Sequence, residues 1–367
     1  MLQILHAADL HLDSPFSALP PNLAARRRLE LRMMPARLAA LAQKKKADVV
    51  LLAGDLLDGA PPYTETVEAL MQALGSIPAP VFLAPGNHDW LSPASPYRLD
   101  WPANVHIFRS GRFERVALPG LGCVVYGAAF TEPSRTGGLA GFRPDPADGD
   151  ALRLMVLHGE TGEGESAYNM ISEEQIARSG LDYLALGHIH RFSGFQRSGA
   201  TLWAWPGCPE GRGFDETGER GVIAGGLDRA EHTLEFIPVN QKRYETYTVA
   251  LTPGDDPLEA LRALPLSGEQ IVRVTMTGET DGTALPLAAL EELVHDACFH
   301  GQVRDETSVH RGLWERQEEQ SLTGAFLRAL RRRGEADPES RAAAERAARF
   351  GLAALERRED PEGGSLL

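Results

Sequence analysis

Pro80-Val81-Phe82-Leu83-Ala84-Pro85-Gly86-Asn87-His88-Asp89 is the stretch from which the rest of the chain can be read. A short apolar run, of strand length, stops at Pro-Gly and is followed at once by an amide, an imidazole and a carboxylate. At this chain's residue frequencies the tetrapeptide Gly86-Asn87-His88-Asp89 is expected by chance in roughly one such sequence in a thousand. Its place also matters, because ligands collect beyond the carboxyl ends of strands in α/β sheets.

The same arrangement recurs outward in both directions. Asp9-Leu10-His11 closes the apolar run 2–7, and Gly54-Asp55-Leu56-Leu57-Asp58 follows the run 48–53. His158-Gly159 ends the run 152–157, and Gly187-His188-Ile189-His190 ends the run 183–186. Five of the 11 histidines therefore sit just past apolar runs. Further runs at 105–108, 124–130, 201–205, 221–225 and 234–239, with helical periodicity over 23–45 and 63–74, describe a layered α/β domain. Two aspartates, several histidines and one asparagine, without a thiolate, form an oxygen and imidazole donor set suited to Mn, Fe or Zn. One ion leaves too many donors over, whereas two share them.

The chain has 367 residues, enough for two or three domains, and is 43% hydrophobic and 24% charged, which excludes a disordered protein. Its 37 basic and 51 acidic residues leave a net charge of -14, so a polyanion cannot be held by overall positive charge and must be captured locally. The three cysteines, Cys123, Cys208 and Cys298, form no zinc or disulfide pattern and fit a reducing cytosol. No apolar run is long enough to span a membrane, and Met1 leads into 2–5 without a basic leader, so a cytoplasmic location is expected.

The texture changes near Tyr244. Strand-like 247–251, a helix over 257–264, a strand over 270–277, a helix over 286–297 and strand-like 299–304 spell β-α-β-α-β. The expected domains are 1–243, a small cap domain 244–306 and a helical tail 307–367. Within the tail one helix is predicted over 321–333, stopping at Gly334, and a second begins with Asp337 as N-cap and Pro338 in the first turn. Ala343, Ala347, Phe350 and Ala354 are predicted to share its apolar face, to pack on the protein's own body or dock a partner helix. After Asp360-Pro361 the composition reads as disordered.

The ordered series Asp9-x-His11, Gly54-Asp55-x-x-Asp58, Gly86-Asn87-His88-Asp89, His158 and Gly187-His188-x-His190 resembles the calcineurin-like metallophosphoesterases. The opening His6-Ala7-Ala8-Asp9-Leu10-His11-Leu12-Asp13-Ser14-Pro15-Phe16 resembles the SbcD-type DNA repair nucleases, and their YhaO-like branch above all. Pro206-Gly207-Cys208-Pro209-Glu210-Gly211-Arg212 and Asp215-Glu216-Thr217-Gly218-Glu219 are similar to that branch as well. The resemblance implies a two-sheet metallophosphoesterase sandwich flanked by helices. It also implies that Asp9, His11, Asp55 and His190 hold one metal while Asp55, Asn87, His158 and His188 hold the other, with Asp55 bridging. His88 then acts on the departing oxygen, and Asp58 and Asp89 orient an imidazole or cap a loop.

The activity implied by the resemblance is that of a Mn-dependent DNA phosphodiesterase, exo- or endonuclease, in which a hydroxide attacks phosphorus, with Fe or Zn as alternative ions. Its implied partners are DNA and an SbcC-like coiled-coil ATPase docked on the helical tail; a homodimer stays open. The alternatives are a metallophosphatase or cyclic-nucleotide phosphodiesterase for small esters, and an interaction subunit with a vestigial site. Arg26-Arg27-Arg28, Arg32, Arg37, Lys44-Lys45-Lys46 and Arg331-Arg332-Arg333 are read either as phosphate contacts or as solvated helix faces. The remaining thiol, Cys208, reads as a buried small residue.

Overall fold

The computed structural model describes residues 1–58, 61–229, 231–282, 284–309, 314, 316–335 and 337–355. The expectation for residues after Asp360 lies outside them. The chain forms two compact units, Met1–Gln241 and Lys242–Leu367.

The strands of the first unit are β1 (Leu2–Ala7), β2 (Val49–Leu52), β3 (Val81–Leu83), β4 (Val105–Ile107), β5 (Glu114–Leu118), β6 (Cys123–Gly127), β7 (Leu152–His158), β8 (Tyr183–Gly187), β9 (Gln196–Ser198), β10 (Thr201–Ala204), β11 (Gly221–Leu227) and β12 (Glu235–Pro238). They make two six-stranded mixed sheets, ordered β12-β11-β1-β2-β3-β4 and β5-β6-β7-β8-β10-β9. Within them β1-β2-β3-β4 and β6-β7-β8-β10 run parallel, so the segments leaving β1, β2, β3, β7 and β8 emerge at strand carboxyl ends.

Alternation along each strand decides which side chains meet. Ile4, Val49, Leu51 and Phe82 of one sheet pack with Val125, Leu154, Val156 and Ala185 of the other. The intervening Met155 and Leu157 of β7 face a second core closed by Leu139, Phe142, Ile171 and Ile176. Burying each of the larger side chains, Val, Leu, Ile, Met or Phe, stabilises the fold by about 1.5–3 kcal/mol.

Helices α1 (Pro21–Arg32), α2 (Met34–Lys45), α3 (Thr64–Gly75) and α4 (Glu173–Ala177) flank the sheets. The single helix expected over 23–45 is two, broken at Met33, because Pro35 in the first turn of α2 has no N–H to give and its ring collides with the preceding turn. The polar edge strands β5 and β9 carry no apolar run and escaped the sequence reading.

One buried histidine ties the sheets together. His6 contacts the Tyr183 hydroxyl through Nδ1 (2.9 Å) and the Leu186 carbonyl through Nε2 (3.1 Å), and burial pushes its pKa down to about 3. The folded state refuses a proton that the unfolded chain accepts near pH 6.5, so stability falls as pH drops below that value. Urea unfolding of the wild type is expected to lose about 2 kcal/mol from this group between pH 7 and pH 5. His6→Gln should lack that component, and equal pH dependence in both proteins would exclude it.

In the second unit β13 (Arg243–Leu251), β14 (Gln270–Thr280) and β15 (His300–Asp305) form a parallel sheet, joined by α5 (Pro257–Arg262) and α6 (Leu287–Ala297). A short β16 (Ser308–Val309) extends the pairing of β14. Two tail helices follow, Leu322–Gly334 and Pro338–Leu355, and Asp337 caps the second by accepting from the Ser340 N–H (2.8 Å). The apolar face of that helix differs from the expected one. Ala344, Ala348 and Leu352 are buried, and the latter two pack with Leu327, Phe326 and Leu330 of the first tail helix, while Ala343 and Ala354 are exposed. The two tail helices thus satisfy each other, and Arg349 ties them to Asp305 (3.4 Å).

Candidate metal centre

The segments after β1 and β2 are fastened together by their backbones. Asp9 N donates to Gly54 O (3.0 Å), His11 N to Asp55 O (2.9 Å) and Leu12 N to Leu56 O (2.9 Å). Asp9, His11, Asp55 and His188 all have positive φ, between 45° and 103°, a conformation uncommon for side-chain-bearing residues that accumulates at functional sites. Two glycines allow the strand ends to converge: a Cβ at Gly86 would overlap the Asp55 carboxylate, and one at Gly187 the Ala53 carbonyl.

Among the described residues three groups of donors result, two of which consist of residues that the resemblance gives as ligands. Asp9, His11 and His190 form one and Asp55, His158 and His188 the other, with the ligand atoms of each group within 4.8 Å of one another. Asp55 Oδ2 lies 3.3 Å from His158 Nε2 and 3.9 Å from His11 Nε2, so it faces both. The Asn87 Oδ1 lies 2.9 Å from His158 Nε2. All seven residues given as ligands by the resemblance are therefore brought together. The Gly187-His188-Ile189-His190 stretch does not continue the strand: β8 ends at Gly187 and His188 turns at φ 103°, and the two imidazoles fall in different groups.

These donors fit a pair of cations. His158 donates Nδ1–H to the Ala53 carbonyl (2.9 Å), which leaves Nε2 with a lone pair facing the oxygens of Asn87 and Asp55. Only a proton or a metal ion satisfies three such acceptors. Although burial favours the neutral ring, the Asp55 charge raises the pKa of His158 to about 9, the behaviour of a site that demands positive charge. His11 Nε2 meets His190 Nε2 at 3.1 Å, again two imidazole nitrogens aimed at one point, while burial holds the His11 pKa near 4. Burial raises the Asp9 pKa to about 6, and burial followed by the charge of His158 lowers that of His188 to about 4.

His88 stands apart from both groups. Its ring is half exposed, its Nδ1 contacts Asp58 Oδ1 at 3.0 Å, and that hydrogen bond raises its pKa. Asp58 also accepts from Ser14 Oγ (2.8 Å); against the penalty of burial, the nearby His11 ring (3.7 Å) and the hydrogen bonds from His88 and Ser14 keep it well below the usual carboxylate range. Asp58 thus orients an imidazole. The other carboxylate, Asp89, does not. Its oxygens accept from the N–H groups of Gly86 (2.7 Å), Asp55 (3.2 Å), Leu56 (2.7 Å) and Leu57 (3.3 Å) and from the Tyr97 hydroxyl (2.6 Å). With both oxygens engaged and buried it caps the loops after β2 and β3 and has no capacity left for substrate.

Arg27, Arg28, Arg32 and Arg37 are engaged by the protein itself, while Arg26 is exposed and pairs with Glu30 (3.1 Å) on the helix surface. Arg27 is fully buried and pairs with Glu30 and Glu210 (both 2.7 Å), Arg37 reaches Glu210 (3.4 Å), and Arg28 donates to the Pro15 carbonyl (3.1 Å). Arg32 holds Asp13 (3.3 Å), which also accepts from Thr66 Oγ1 (2.6 Å) and Tyr63 N (3.0 Å), and so braces the loop carrying Asp9 and His11. Cys208 is fully buried, as expected.

Several supporting residues had no assigned role in the sequence reading. Glu216 Oε1 accepts from His190 Nδ1 at 2.7 Å, which leaves His190 Nε2 free as a donor to a metal. The Trp205 indole N–H bridges the carbonyls of Gly159 (3.0 Å) and Gly187 (3.1 Å), beside His158 and His188. An open cleft of about 610 Å³ leads from His188 and His190 past Arg191, Phe192, Glu219 and Phe236.

The family described as Calcineurin-like phosphoesterase matches residues 2–192. The protein named Uncharacterized metallophosphoesterase YhaO of Bacillus subtilis (strain 168) is 29% identical over 262 residues, 68% of this chain and 64% of that protein. Probable exonuclease subunit 1 of Escherichia phage T5 is 23% identical over 222 residues, 60% of this chain and 64% of that protein. The chain therefore spans 64% of the length of either relative. The solved structure of TT1561 of Thermus thermophilus aligns with a TM-score of 0.40 and 16% identity, over 65% of this chain and 99% of that one.

Proposed function

The chain belongs to the calcineurin-like phosphoesterase family, metal-dependent hydrolases that bind two divalent ions, and from that premise we propose that it is a Mn-dependent DNA phosphodiesterase of the SbcD type. The observation that carries the reading is the pair of donor groups facing one carboxylate, Asp55, with an oriented His88 beside them. In this assignment Asp9, His11, Asp55 and His190 hold one ion, and Asp55, Asn87, His158 and His188 the other. When bound, the ions neutralise phosphoryl oxygens and acidify the attacking water.

The protein's own groups do the rest. Asp58 fixes the His88 ring through Nδ1, so Nε2 is the atom that gives a proton to the departing oxygen. Glu216 and Ala53 fix the tautomers of His190 and His158. Two features support nucleic acid as substrate: the cleft extends beyond what one phosphate needs, and the T5 relative is named an exonuclease subunit; two dications held by Asp9 and Asp55 would also supply the local positive charge that an acidic protein needs to bind a phosphodiester. We further assign a coiled-coil ATPase to the helical tail, whose Leu322 is exposed, and a cytoplasmic setting, in keeping with three unpaired buried cysteines. Among the described residues no helix is long and apolar enough to cross a membrane.

Acidic Asp215 and Glu219 along the cleft favour a second reading, a phosphatase or cyclic-nucleotide phosphodiesterase for small esters. A Mn-loaded preparation is expected to cut single-stranded or hairpin DNA and a bis-aryl phosphate, and to leave a phosphomonoester nearly untouched. Hydrolysis of the monoester without any DNA cleavage would establish the second reading instead. Repeating the assay with Fe and Zn identifies the ion that supports turnover.

A further inference from the structure

Arg212 occupies an unusual position among the polar groups around the centre. Its Nη2 donates to Glu216 Oε1 at 2.7 Å, its Nε approaches Glu216 Oε2 at 3.3 Å, and its backbone N–H donates to the same oxygen at 2.8 Å. The carboxylate is thus held in a fork by one residue, while its Oε1 also receives the His190 Nδ1–H. Nη2 also lies 3.0 Å from His190 Nδ1, but that nitrogen cannot accept from arginine while it donates to Glu216, and the closer carboxylate claims its proton. The fork therefore sets both the tautomer of His190 and the plane of the guanidinium.

What remains is Nη1. Among the described residues it makes no hydrogen bond; its nearest carboxylate oxygen, Asp58 Oδ2, is 3.7 Å away. Asp58 is already engaged by His88 through Oδ1 and by Ser14 through Oδ2, and so does not draw Nη1 closer. The arginine side chain is 18% exposed, so a small anion can reach it. A planar cation clamped on one edge and open on the other, beside the imidazole that faces the departing oxygen, matches what a phosphoryl oxygen requires.

We propose that Arg212 binds a phosphoryl oxygen of the substrate through Nη1, with Glu216 as the positioning residue that aims it and fixes His190. The inference rests on the phosphoesterase reading and adds to it a protein-borne phosphate contact. It gives the acidic protein a cation at the centre that is present whichever metals are loaded. Arginine is suited to this role because it stays charged and because its fork divides between a carboxylate and an anion, which a lysine cannot do.

The test uses the full chain loaded with Mn and measures bound metal together with the Kd of inorganic phosphate by calorimetry. Arg212→Gln is expected to keep both ions and to weaken phosphate binding about 10- to 100-fold, with a matching rise in KM for a bis-aryl phosphate. Arg212→Lys should fall between the two, because an ammonium retains charge but not the fork. Glu216→Gln should lose metal affinity about 10- to 100-fold through His190. An Arg212→Gln protein with wild-type phosphate affinity overturns the proposal, as does one that has lost its metals, since the arginine would then support the centre without touching substrate. If Arg212→Gln does not fold, Arg212→Lys decides: a phosphate Kd equal to that of wild type rejects the contact. A wild type that binds no metal pair or hydrolyses no ester rejects the underlying reading, whereas a competent wild type with an indifferent Arg212 rejects this inference alone.

Discussion

Asp55→Asn is expected to lose both metal ions and to reduce hydrolysis by at least about a thousandfold. The substitution keeps the shape of the side chain and the acceptor that takes the His88 backbone N–H (2.9 Å), so the loop after β2 is not dismantled. What it removes is the charge that faces both donor groups through Oδ2. Burial raises the cost of charging Asp55, yet contacts with His158, His11 and His88 keep it ionised, well below the ordinary carboxylate range. A neutral amide there leaves one aspartate, Asp9, to balance two dications. Elemental analysis of the purified variant beside its circular dichroism spectrum distinguishes loss of metal from loss of fold. A folded Asp55→Asn protein that still carries two ions would show that the carboxylate does not bridge.

His88→Ala should behave in the opposite way, keeping both ions while turnover falls about a hundred- to ten-thousandfold. The ring touches neither Asp9 nor His158; it rests on Asp58 and lies edge-on to His11 with centroids 4.8 Å apart. His11, Asp58 and His88 also form a third cluster of donor atoms, so the variant separates two roles for this histidine. A proton donor can be deleted without metal loss, whereas a ligand cannot. Single-turnover kinetics at saturating bis-aryl phosphate, with metal content measured on the same samples, read the distinction. Asp58→Asn should give a smaller loss, since the ring remains but its orientation is no longer held by a charge. Cleavage by His88→Ala at the wild-type rate would exclude the assignment.

How much of this was legible beforehand depended on distance along the chain. The strands that carry ligands are continuous apolar runs because they are buried on both faces, and each ligand lies within a few residues of its strand, so runs and motifs reinforced one another. Edge strands β5 and β9 alternate or face solvent and left no such trace. The supporting residues were invisible for a different reason. Trp205 reaches Gly159 across 46 residues, and Arg27 reaches Glu210 across 183. No local pattern encodes such contacts, and a run of three arginines on a helix resembles a phosphate-binding face until its buried carboxylates are seen. Likewise, a Gly-His-x-His stretch does not disclose that the strand ends at its glycine and that His188 takes a positive φ. In the tail, helix periodicity located both helices, but the buried face was set by the neighbouring helix, whose Leu327 selects Ala348 and Leu352.

The most direct test of the central claim is electron paramagnetic resonance of the protein titrated with Mn from the metal-free state. Two ions sharing the Asp55 carboxylate are expected to bind per chain and to give an exchange-coupled spectrum that disappears in Asp55→Asn. A single ion per chain, or two that yield only the signal of isolated Mn, would contradict the account.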